Sequence, residues 1–480
     1  MGTKEESELE SGRRRPRLGE IAKAITARLW GPNIALPAFC ADSREICPGN
    51  GFVALPGQRK DGHTFIEEAL KKGATAVIAR LEEAEKLSDN YPNVTFLGAA
   101  DTLEALVGMA KFYLRWARPK EIIAITGSVG KTTTKKLLSQ ALSVQFKVCA
   151  SERSYNTLIG CSLAILSMET DADILVLEMG TNAPGEIARL VEAFPPTLGI
   201  ITEIAPSHLE GLGSLEGVLE AKLELLRSSR LSLLSYNFDN ITLRNALKAA
   251  SKTLNLLPVG YERGSVWRIL SSKVFIGDRG PRLSLLLEHG GRTFILESAL
   301  WERQYSYALA FALAVSYHCG VPAEAAIAAI GDVLPEKGRG RTWMGPHGAW
   351  VIDESYNANP ASMIASIDSA SLLPCEGRRW ALLGGMKELG GESDFWHRNI
   401  AKRLRSFGKA LLLGEEWKGA FADEDDHLRF ISNIEEGRAI LDASLKPGDL
   451  LLVKGSRAYG LEEALKGWEE RKCRSLAWQS

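Results

Sequence analysis

Short apolar runs alternate with amphipathic segments along this chain, most densely between residues 119 and 334. Runs rich in Ile, Leu and Val, separated by segments with a 3.6-residue repeat, are typical of parallel strands joined by helices and buried on both faces. The predicted strands lie at 122–126, 174–179, 198–204, 231–236 and 256–260, with helices at 132–144, 185–194 and 215–228. We therefore expect a central parallel-sheet domain covered by helices.

The regions that flank this central part show other patterns. Residues 18–118 combine short strand-like pieces with polar, glycine-rich turns and amphipathic segments, which predicts a small mixed α/β domain. The predicted helices there are 18–29, 64–72 and 102–116. Strict alternation over 267–296, around a Gly-Asp-Arg-Gly turn at 277–280, predicts an antiparallel appendage to the central domain. A segment of Ala, Leu and aromatic residues at 304–319 predicts a buried helix.

Strands and helices alternate again from residue 335 to residue 480, which predicts a third, Rossmann-like α/β domain. Its predicted strands are 350–353, 380–383, 410–413, 428–430 and 450–453. The fold class expected is therefore α/β with three domains, with boundaries near 118 and 334. No GxGxxG fingerprint occurs in the third domain, so we infer no nicotinamide cofactor.

Composition narrows the class of protein. The net charge of −1 gives no electrostatic case for nucleic acid, and no apolar run approaches the length of a membrane span. Residues 1–17, with four Glu followed by four Arg, are predicted to form a solvated, disordered tail. The seven cysteines contain no CxxC pair, which indicates neither a disulfide framework nor a zinc site. We expect a cytoplasmic, monomeric protein.

The strongest motif is a glycine-rich turn between the strand at 122–126 and the helix at 132–144. Its backbone N–H groups and the helix N-terminus form an anion site, and Lys131 can reach β- and γ-phosphates while the Thr132 hydroxyl can hold magnesium. Ile125 stands where the eight-residue P-loop has glycine, so this is a shortened form. The predicted ATP-binding residues of the loop are Gly127, Ser128, Val129, Gly130, Lys131, Thr132 and Thr133.

Three further polar residues follow strands of the central domain or lie just beyond them. Glu178 ends an apolar strand, where a carboxylate either meets a cation or caps the next helix. His208 lies on the loop after another strand, the edge at which ligands of such sheets gather. Lys222 lies on the following helix among glutamates, and spacing alone indicates a solvated lysine. In the first domain, Asp42-Ser43-Arg44 is either a capped turn or part of a ligand site.

Several strings together resemble the Mur ligases, the ATP-dependent amide-bond ligases of peptidoglycan precursor synthesis. They are the loop TGSVGKTT at 126–133, YNTLIG at 155–160, HLEGLGSLEGV at 208–218, DESYNANP at 353–360 and KGSR at 454–457. The resemblance spans residues 36–465 and is most similar to the members that join D-alanyl-D-alanine to UDP-MurNAc-tripeptide. It implies that ATP phosphorylates the tripeptide carboxylate and that the dipeptide amine then attacks the acyl phosphate.

The resemblance also implies site residues. Lys131, His208 and Lys222 would be catalytic, with Thr132 and Glu178 on one magnesium and His208 and a carbamylated Lys222 on a second. Arg339 and Asp353 would reach ATP from the third domain. The implied substrate-binding residues are Ser43, Arg44, Asp61, Gly62, His63, Asn156, Thr157, Tyr356, Asn357, Asn359, Lys454, Ser456 and Arg457. Asp353 or a metal-bound group remains open as the base for the amine.

The chain also departs from the family pattern. The usual Gly-x-His-Asn-x-x-Asn-Ala, whose asparagines read adenine, is replaced by residues 301–308, with Gln304 and Tyr307 at the two asparagine positions. Gln304 would keep an amide contact and Tyr307 would stack. The stretch 383–390 carries a glycine where the family commonly has aspartate. Two alternatives stay open: another ligase of the superfamily, acting on a muramyl dipeptide, folate or cyanophycin, and a P-loop nucleotide switch.

Overall fold

The structure is a computed structural model that describes residues 14–57, 60–151, 155–248, 254–277, 280–420 and 426–468. Three β-sheets of five, nine and six strands follow one another along the chain. The predicted α/β class with three sheet-based parts is therefore confirmed, whereas the domain boundaries near 118 and 334 stay predictions. Residues 1–13 of the predicted tail and the centre of the predicted turn at 277–280 lie outside the described residues.

The first sheet has the strand order β1-β5-β4-β3-β2, with β1 antiparallel and the other strands parallel. Its elements are α1 (Leu18–Ala24), β1 (Arg28–Trp30), β2 (Phe39–Cys40), β3 (Gly51–Val53), α2 (Ile66–Lys71), β4 (Ala76–Arg80), α3 (Leu81–Ser88), β5 (Thr95–Ala99) and α4 (Thr102–Ala117). The predicted helix 18–29 is wrong beyond Ala24. Thr26 has a φ of 56°, which ends the helix, and the chain then enters β1 to pair with β5.

Residues 14–17, predicted as part of a solvated tail, are in contact with the first two sheet regions. The Arg15 guanidinium donates to the carbonyl oxygens of Leu36, Leu166 and Met168, at 3.1, 3.3 and 2.8 Å. It also lies 5.4 Å from the centre of the Tyr113 ring. Hydrogen bonds to three carbonyl oxygens and a cation–π contact hold the Arg15 side chain in place. The pattern of charges along the sequence does not reveal these contacts.

The second sheet has the order β14-β13-β12-β11-β10-β9-β6-β8-β7. Its strands are β6 (Glu121–Thr126), β7 (Val148–Ala150), β8 (Ile174–Glu178), β9 (Leu198–Ile201), β10 (Leu233–Asn237), β11 (Asn255–Gly260), β12 (Trp267–Gly277), β13 (Gly280–His289) and β14 (Arg292–Ser298). Its helices are α5 (Lys131–Leu142), α6 (Leu158–Ser167), α7 (Glu186–Ala193), α8 (Leu209–Leu212), α9 (Leu215–Leu223), α10 (Ile241–Leu247), α11 (Tyr305–His318) and α12 (Ala323–Gly331).

This sheet is buried on both faces, as its apolar runs predict. Along β6, Ile122 and Ala124 pack into one core cluster and Ile123 and Ile125 into another, because successive side chains point to opposite faces. The strands β12–β14 are antiparallel hairpins, as predicted. They are not an appendage, however, since β12 pairs in parallel with β11 and continues the same sheet.

The third sheet has the order β15-β16-β20-β17-β18-β19. Its elements are β15 (Arg341–Met344), β16 (Trp350–Glu354), α13 (Pro360–Leu372), β17 (Arg379–Gly384), α14 (Ser393–Arg403), β18 (Lys409–Leu413), β19 (Leu428–Ile431), α15 (Ile434–Ser444) and β20 (Leu450–Lys454). The antiparallel edge strand β15 was not predicted. No helix among the described residues has the length and apolar character required to cross a membrane.

Candidate active site

A cavity of about 590 Å³ lies between the second and third sheets, at the carboxyl ends of their strands. The second-sheet region contributes residues 128–134, Glu178 and His208 to its wall. The third-sheet region contributes Arg339, Glu354, residues 356–359 and residues 361–362, with further residues of the 387–389 and 454–458 loops. The cavity is therefore built by two parts of the chain, and ligands of parallel α/β sheets gather at this edge.

The glycine-rich loop has the strained backbone that its sequence requires. Gly127 has a φ of +139°, and a Cβ there would lie 2.1 Å from the Thr202 hydroxyl. Gly130 precedes α5 with a φ of +86°. The loop is fixed from the end of β9, since the Thr202 hydroxyl donates to Val129 O at 2.6 Å and Ser128 N donates to Glu203 O at 2.8 Å. Only glycine permits this close approach.

Lys131 is directed back over this loop. Its ammonium donates to Gly127 O at 2.7 Å, so it lies over the turn where the sequence predicts phosphate. Removal from water lowers the pKa of this ammonium, with an opposing contribution from Glu178. An anion bound in the turn would supply a negative charge opposite this ammonium and would favour its protonated form.

Glu178, at the end of β8, is 1% exposed and directly adjoins the loop. It accepts a hydrogen bond from the Thr132 hydroxyl at 3.0 Å, and Lys135 Nζ lies 3.6 Å from the same oxygen. Lys135, which sequence reasoning missed, also donates to Ser151 O at 2.6 Å. Its spacing of one helical turn from Lys131 is the signal that could have placed it beside the loop.

His208 and Lys222 lie close enough to Lys131 for its charge to lower the pKa of each. Burial is the larger cause for both groups, and it lowers the pKa of Lys222 to about 7. Lys222 is 1% exposed, so the prediction of a solvated lysine from spacing alone is wrong. His208 Nδ1 lies 2.7 Å from Glu388 Oε2 of the third-sheet region. Sequence reasoning missed Glu388, although it follows strand β17 at the ligand edge.

Arg339, a predicted residue of the third-sheet region, lines the cavity and is held in place by contacts with neighbouring residues. The Arg339 guanidinium lies 4.1 Å from the centre of the Tyr356 ring, and Tyr305 donates to Arg339 O at 2.5 Å. Asp353 is 1% exposed and is not part of the cavity wall. Its carboxylate accepts from Gly338 N at 2.9 Å, so it fixes the turn that carries Arg339.

The remaining predicted residues of this region all line the cavity. Lys454 is 2% exposed and donates to Glu354 at 2.8 Å and to Asn357 O at 3.2 Å. Asn359 caps α13 by accepting from Ser362 N at 2.9 Å. Those that line the cavity are Tyr356, Asn357, Asn359, Lys454, Ser456 and Arg457.

The stretch 383–390, in which glycine stands where the family commonly has aspartate, lies against the Glu416 carboxylate. A Cβ at Gly385 would lie 2.6 Å from Glu416 Oε2, so the Glu416 carboxylate occupies the space beside this glycine. Glu416 accepts hydrogen bonds from Lys387 and Tyr459. These bonds outweigh burial and lower the pKa of Glu416.

The predicted residues of the first-sheet region are not part of this cavity wall. They are Ser43, Arg44, Asp61, Gly62 and His63. His63 Nε2 accepts from Arg80 N at 2.9 Å, so its proton is on Nδ1, which donates to Asp61 at 2.6 Å. The backbone N–H of His63, followed by its ring, lowers the pKa of Asp61 to about 2. Both ring nitrogens of His63 are thus engaged, one with Asp61 of its own turn and the other with Arg80 at the end of β4.

Of the two residues predicted on the 155–160 string, Asn156 lines the cavity and Thr157 does not. Thr157 is instead the N-cap of α6, where its hydroxyl accepts from Gly160 N at 3.2 Å. Asn156 lies against Gly180, since a Cβ at that glycine would lie 2.6 Å from the Asn156 side-chain nitrogen. The string therefore places the Asn156 side-chain amide in the cavity wall, and Thr157 begins the helix that follows it.

Beyond the glycine-rich loop, the cavity wall continues along α11. Gln304, Tyr307 and Phe311 line it there, and Glu203 is a further lining residue. The Tyr307 hydroxyl donates to Asp239 at 2.6 Å, and its ring meets Tyr261 edge to face at 5.7 Å. The Gln304 amide nitrogen donates to Glu302, which leaves its oxygen as the free acceptor.

The donor set fits magnesium at one position. A buried carboxylate and a hydroxyl, Glu178 and Thr132, meet beside the phosphate-binding turn, and hard oxygen ligands are what magnesium takes beside phosphates. Among the described residues, no group of three or more His, Cys, Asp or Glu side chains could hold a metal without other donors. Lys222, with a pKa of about 7, is partly neutral at physiological pH, the state in which an amine reacts with carbon dioxide.

A glycine-rich phosphate loop facing a second α/β domain across a cavity defines the class as a multidomain P-loop nucleotide-binding enzyme. Family models agree with the three sheets. The Mur ligase middle domain matches residues 125–275, the glutamate ligase domain of Mur ligases matches 338–457, and the Mur ligase family catalytic domain matches 39–112. The chain belongs to the Mur ligase family and is an ATP-dependent ligase.

Individual relatives cover nearly the whole chain. It is 30% identical over 466 residues to the UDP-N-acetylmuramoyl-tripeptide--D-alanyl-D-alanine ligase of Bacillus subtilis strain 168, covering 94% of this chain and 96% of the relative. It is 32% identical over 441 residues to the ligase of the same name from Synechocystis sp., covering 89% and 91%. The crystal structure of MurF ligase from Thermotoga maritima in complex with ADP has a TM-score of 0.76 at 28% identity, covering 90% and 97%.

Proposed function

We propose that this protein joins D-alanyl-D-alanine to UDP-MurNAc-tripeptide at the expense of ATP, in the cytoplasmic synthesis of peptidoglycan precursors. The observation that carries the proposal is the cavity in which the phosphate loop faces residues 356–359 of the DESYNANP string. Relatives of about 30% identity along nearly the full chain carry the name of this activity. We also propose that the protein acts as a monomer.

The reaction proposed has two steps. The terminal carboxylate of the tripeptide attacks the γ-phosphorus of ATP, which forms an acyl phosphate and releases ADP. The free amine of the dipeptide, after losing a proton, then attacks the acyl carbon; phosphate leaves with the electron pair of the broken C–O bond, and an amide remains. A carboxylate is a poor electrophile, so phosphorylation supplies the leaving group while the protein supplies position and charge.

The nucleotide is proposed to lie along the loop and α11. Backbone N–H groups of Gly127, Val129 and Gly130, with Lys131, Thr132 and Thr133, would hold the phosphates, while the Ser128 N–H, bonded to Glu203 O, would keep the loop in shape. Arg339 would add positive charge from the other side of the cavity, with Asp353 fixing its turn rather than touching ATP. Tyr307 would stack on the base, and the free acceptor oxygen of Gln304 matches the amino group of adenine.

Magnesium is proposed at two positions, on Thr132 and Glu178 and on His208 and carbamylated Lys222. When bound, it neutralises phosphate charge as the γ-phosphoryl group is transferred. Burial of Lys222 keeps its amine partly neutral, and carbamylation would turn it into an anionic oxygen ligand.

The binding sites for the different portions of the substrates are proposed to lie on separate parts of the chain. Ser43, Arg44, Asp61, Gly62 and His63 would bind the uridine diphosphate group, with His63 holding the turn through Asp61. Asn156, positioned by the Thr157 cap, would face the sugar-peptide. Tyr356, Asn357, Asn359, Ser456 and Arg457 would line the dipeptide site, with Lys454 beneath them. Since the sites come from separate domains, closure would exclude water from the acyl phosphate.

The test is product formation from defined substrates. The purified protein is incubated with ATP, magnesium, UDP-MurNAc-tripeptide labelled with ¹⁸O in its terminal carboxylate, and D-alanyl-D-alanine. We expect equimolar ADP and pentapeptide by mass spectrometry, with one ¹⁸O atom in the released phosphate. Lys131→Ala should lose both products, while Lys147→Ala, an exposed lysine, should keep them. Pentapeptide formation without label transfer, or no pentapeptide under conditions where a known ligase makes it, would exclude this mechanism.

A further inference from the structure

We propose that Glu388 is a positioning residue that holds His208 in one tautomer and so completes the second cation position from the other domain. The inference rests on the proposed function, in which His208 binds a divalent cation. It concerns a residue on the third-sheet region, whereas all four proposed metal-binding residues lie on the second-sheet region. Glu388 would act through His208 and touch neither substrate nor cation.

Two contacts join the same pair of loops. His208 Nδ1 lies 2.7 Å from Glu388 Oε2, and Leu209 N donates to Glu388 O at 3.2 Å. One bond uses the side chain of Glu388 and the other its carbonyl, so both ends of the residue are directed at the His208 loop. This double contact fixes the position and the orientation of the imidazole ring.

The backbone at this contact is unusual on both sides. Five residues other than glycine have a positive φ among the parts of the chain that the structure describes: Thr26, Arg118, His208, His347 and Glu388. Two of the five, His208 at 52° and Glu388 at 63°, are in direct contact across the domain junction. Residues with a Cβ adopt this conformation only where the surroundings hold them, and such residues cluster at functional sites.

The chemistry of the contact determines the tautomer. An ionised carboxylate can only accept, so His208 Nδ1 carries the proton and Nε2 keeps its lone pair. A neutral imidazole with a free Nε2 is a metal ligand, and a carboxylate on the opposite nitrogen increases its basicity. The side chains are 34% and 57% exposed, so this hydrogen bond adds little to folding stability. Its effect should therefore appear in cation binding.

The contact also connects cation binding to the domain arrangement. Glu388 belongs to the 387–389 loop of the third-sheet region, which lines the same cavity as residues 356–359 of the proposed dipeptide site. The ring of His208 is therefore oriented only when that region has its present place against the second sheet. Cation binding at His208 would strengthen as the dipeptide-binding domain arrives.

The test measures Mn²⁺ binding to the full chain by electron paramagnetic resonance, in the presence of ADP and bicarbonate. We expect two Mn²⁺ ions, and His208→Asn, which tolerates the left-handed backbone, should remove the weaker one. Glu388→Ala should weaken the weaker ion about 10- to 100-fold and leave the tighter one unchanged. Glu388→Gln keeps an acceptor but loses the charge, so its affinity for the weaker ion should lie between those of the native chain and Glu388→Ala. Glu388→Asp should bind the weaker ion more tightly than Glu388→Ala does.

The matched control is Glu392→Gln, an exposed carboxylate four residues away that bonds Trp396. It should leave both Mn²⁺ affinities unchanged. A second readout, ¹⁵N NMR of the histidine rings, should show the His208 proton on Nδ1 in the native chain and a mixture of tautomers in Glu388→Ala. Unchanged Mn²⁺ affinity in Glu388→Gln and Glu388→Ala, in an enzyme that still makes pentapeptide, would overturn this inference alone. Absence of pentapeptide from the native chain would instead overturn the proposed function.

Discussion

Two parallel strands of different sheets end in a buried glutamate at the same cavity. Glu178 ends β8 and is 1% exposed, and Glu354 ends β16 and is 6% exposed. Glu178 accepts from the Thr132 hydroxyl at 3.0 Å, with Lys135 Nζ at 3.6 Å. Glu354 accepts from Lys454 Nζ at 2.8 Å. Equivalent positions in two sheets thus hold the same residue type with different partners.

The partners decide what each carboxylate can do. A hydroxyl neighbour leaves the charge of Glu178 available, and the lysine beside it also bonds Ser151. Lys454 lies at ion-pair distance from Glu354, and neighbouring Glu302, wholly buried, has a pKa raised well above its usual value by burial and by Glu354. Burial and the nearby Glu354 carboxylate therefore both favour the neutral form of Glu302. Both carboxylates have a buried lysine nearby, but the lysine of Glu178 lies at 3.6 Å and that of Glu354 at 2.8 Å, so Glu178 is the better placed to take a further cation.

The largest effect is expected at the ion pair. Lys454→Met should reduce the free energy of unfolding by about 3–5 kcal/mol, because it leaves Glu354 buried without its cation. Urea unfolding followed by fluorescence measures this loss. Lys418→Met, which removes an exposed partner of Glu415, should cost less than about 1 kcal/mol. Native stability in Lys454→Met with a raised KM for the tripeptide would instead assign Lys454 to the substrate.

Glu178→Gln tests the other member of the comparison. The amide keeps the shape and can still accept from Thr132, so we expect a small stability change. The turnover number should fall about 10²- to 10³-fold, equivalent to about 3–4 kcal/mol, because the charge proposed to hold magnesium is lost. Steady-state ADP release at saturating substrates measures it, with Glu354→Gln as the matched variant. Equal loss of turnover at similar stability in both variants would erase the distinction between them.

Some features of the fold and of the candidate site could be predicted from the sequence, and others could not. The parallel strands, the glycine-rich loop and the placement of Glu178 beside it follow from periodicity and motif, because local chemistry specifies them. Contacts between distant segments do not, which is why the Arg15 contacts and the Glu388 contact with His208 were missed. Lys222 shows the limit most clearly. Its neighbours in sequence indicated solvent, but helix α9 turns it inward against the charge of Lys131.

Lys222 extends the comparison to a buried cation with a displaced pKa. Its pKa falls from 10.5 to about 7 in the folded state, so the unfolded chain binds more protons between these values. Stability of the unmodified protein should therefore rise as the pH increases from 7 to 10.5. Lys222→Met should remove this rise and stabilise the protein at pH 7 by about 2 kcal/mol, while ligation is lost. Thermal unfolding across this pH range, with Lys147→Met as an exposed control, measures both; an unchanged pH profile would contradict the burial argument.

The smallest effect is expected at the base end of the nucleotide site, where neither strand-end glutamate acts. Tyr307→Asn removes the proposed stacking surface, so the KM for ATP should rise about 3- to 10-fold, equivalent to about 0.5–1.5 kcal/mol, with turnover unchanged. Tyr307→Phe loses the bond to Asp239 but keeps the ring, and should remain within about threefold of the native KM. Because Glu302 orients the Gln304 amide, Gln304→Ala should narrow the preference for ATP over GTP. A fall in turnover with no change in KM in Tyr307→Asn would show that α11 acts on the phosphoryl group rather than on the base.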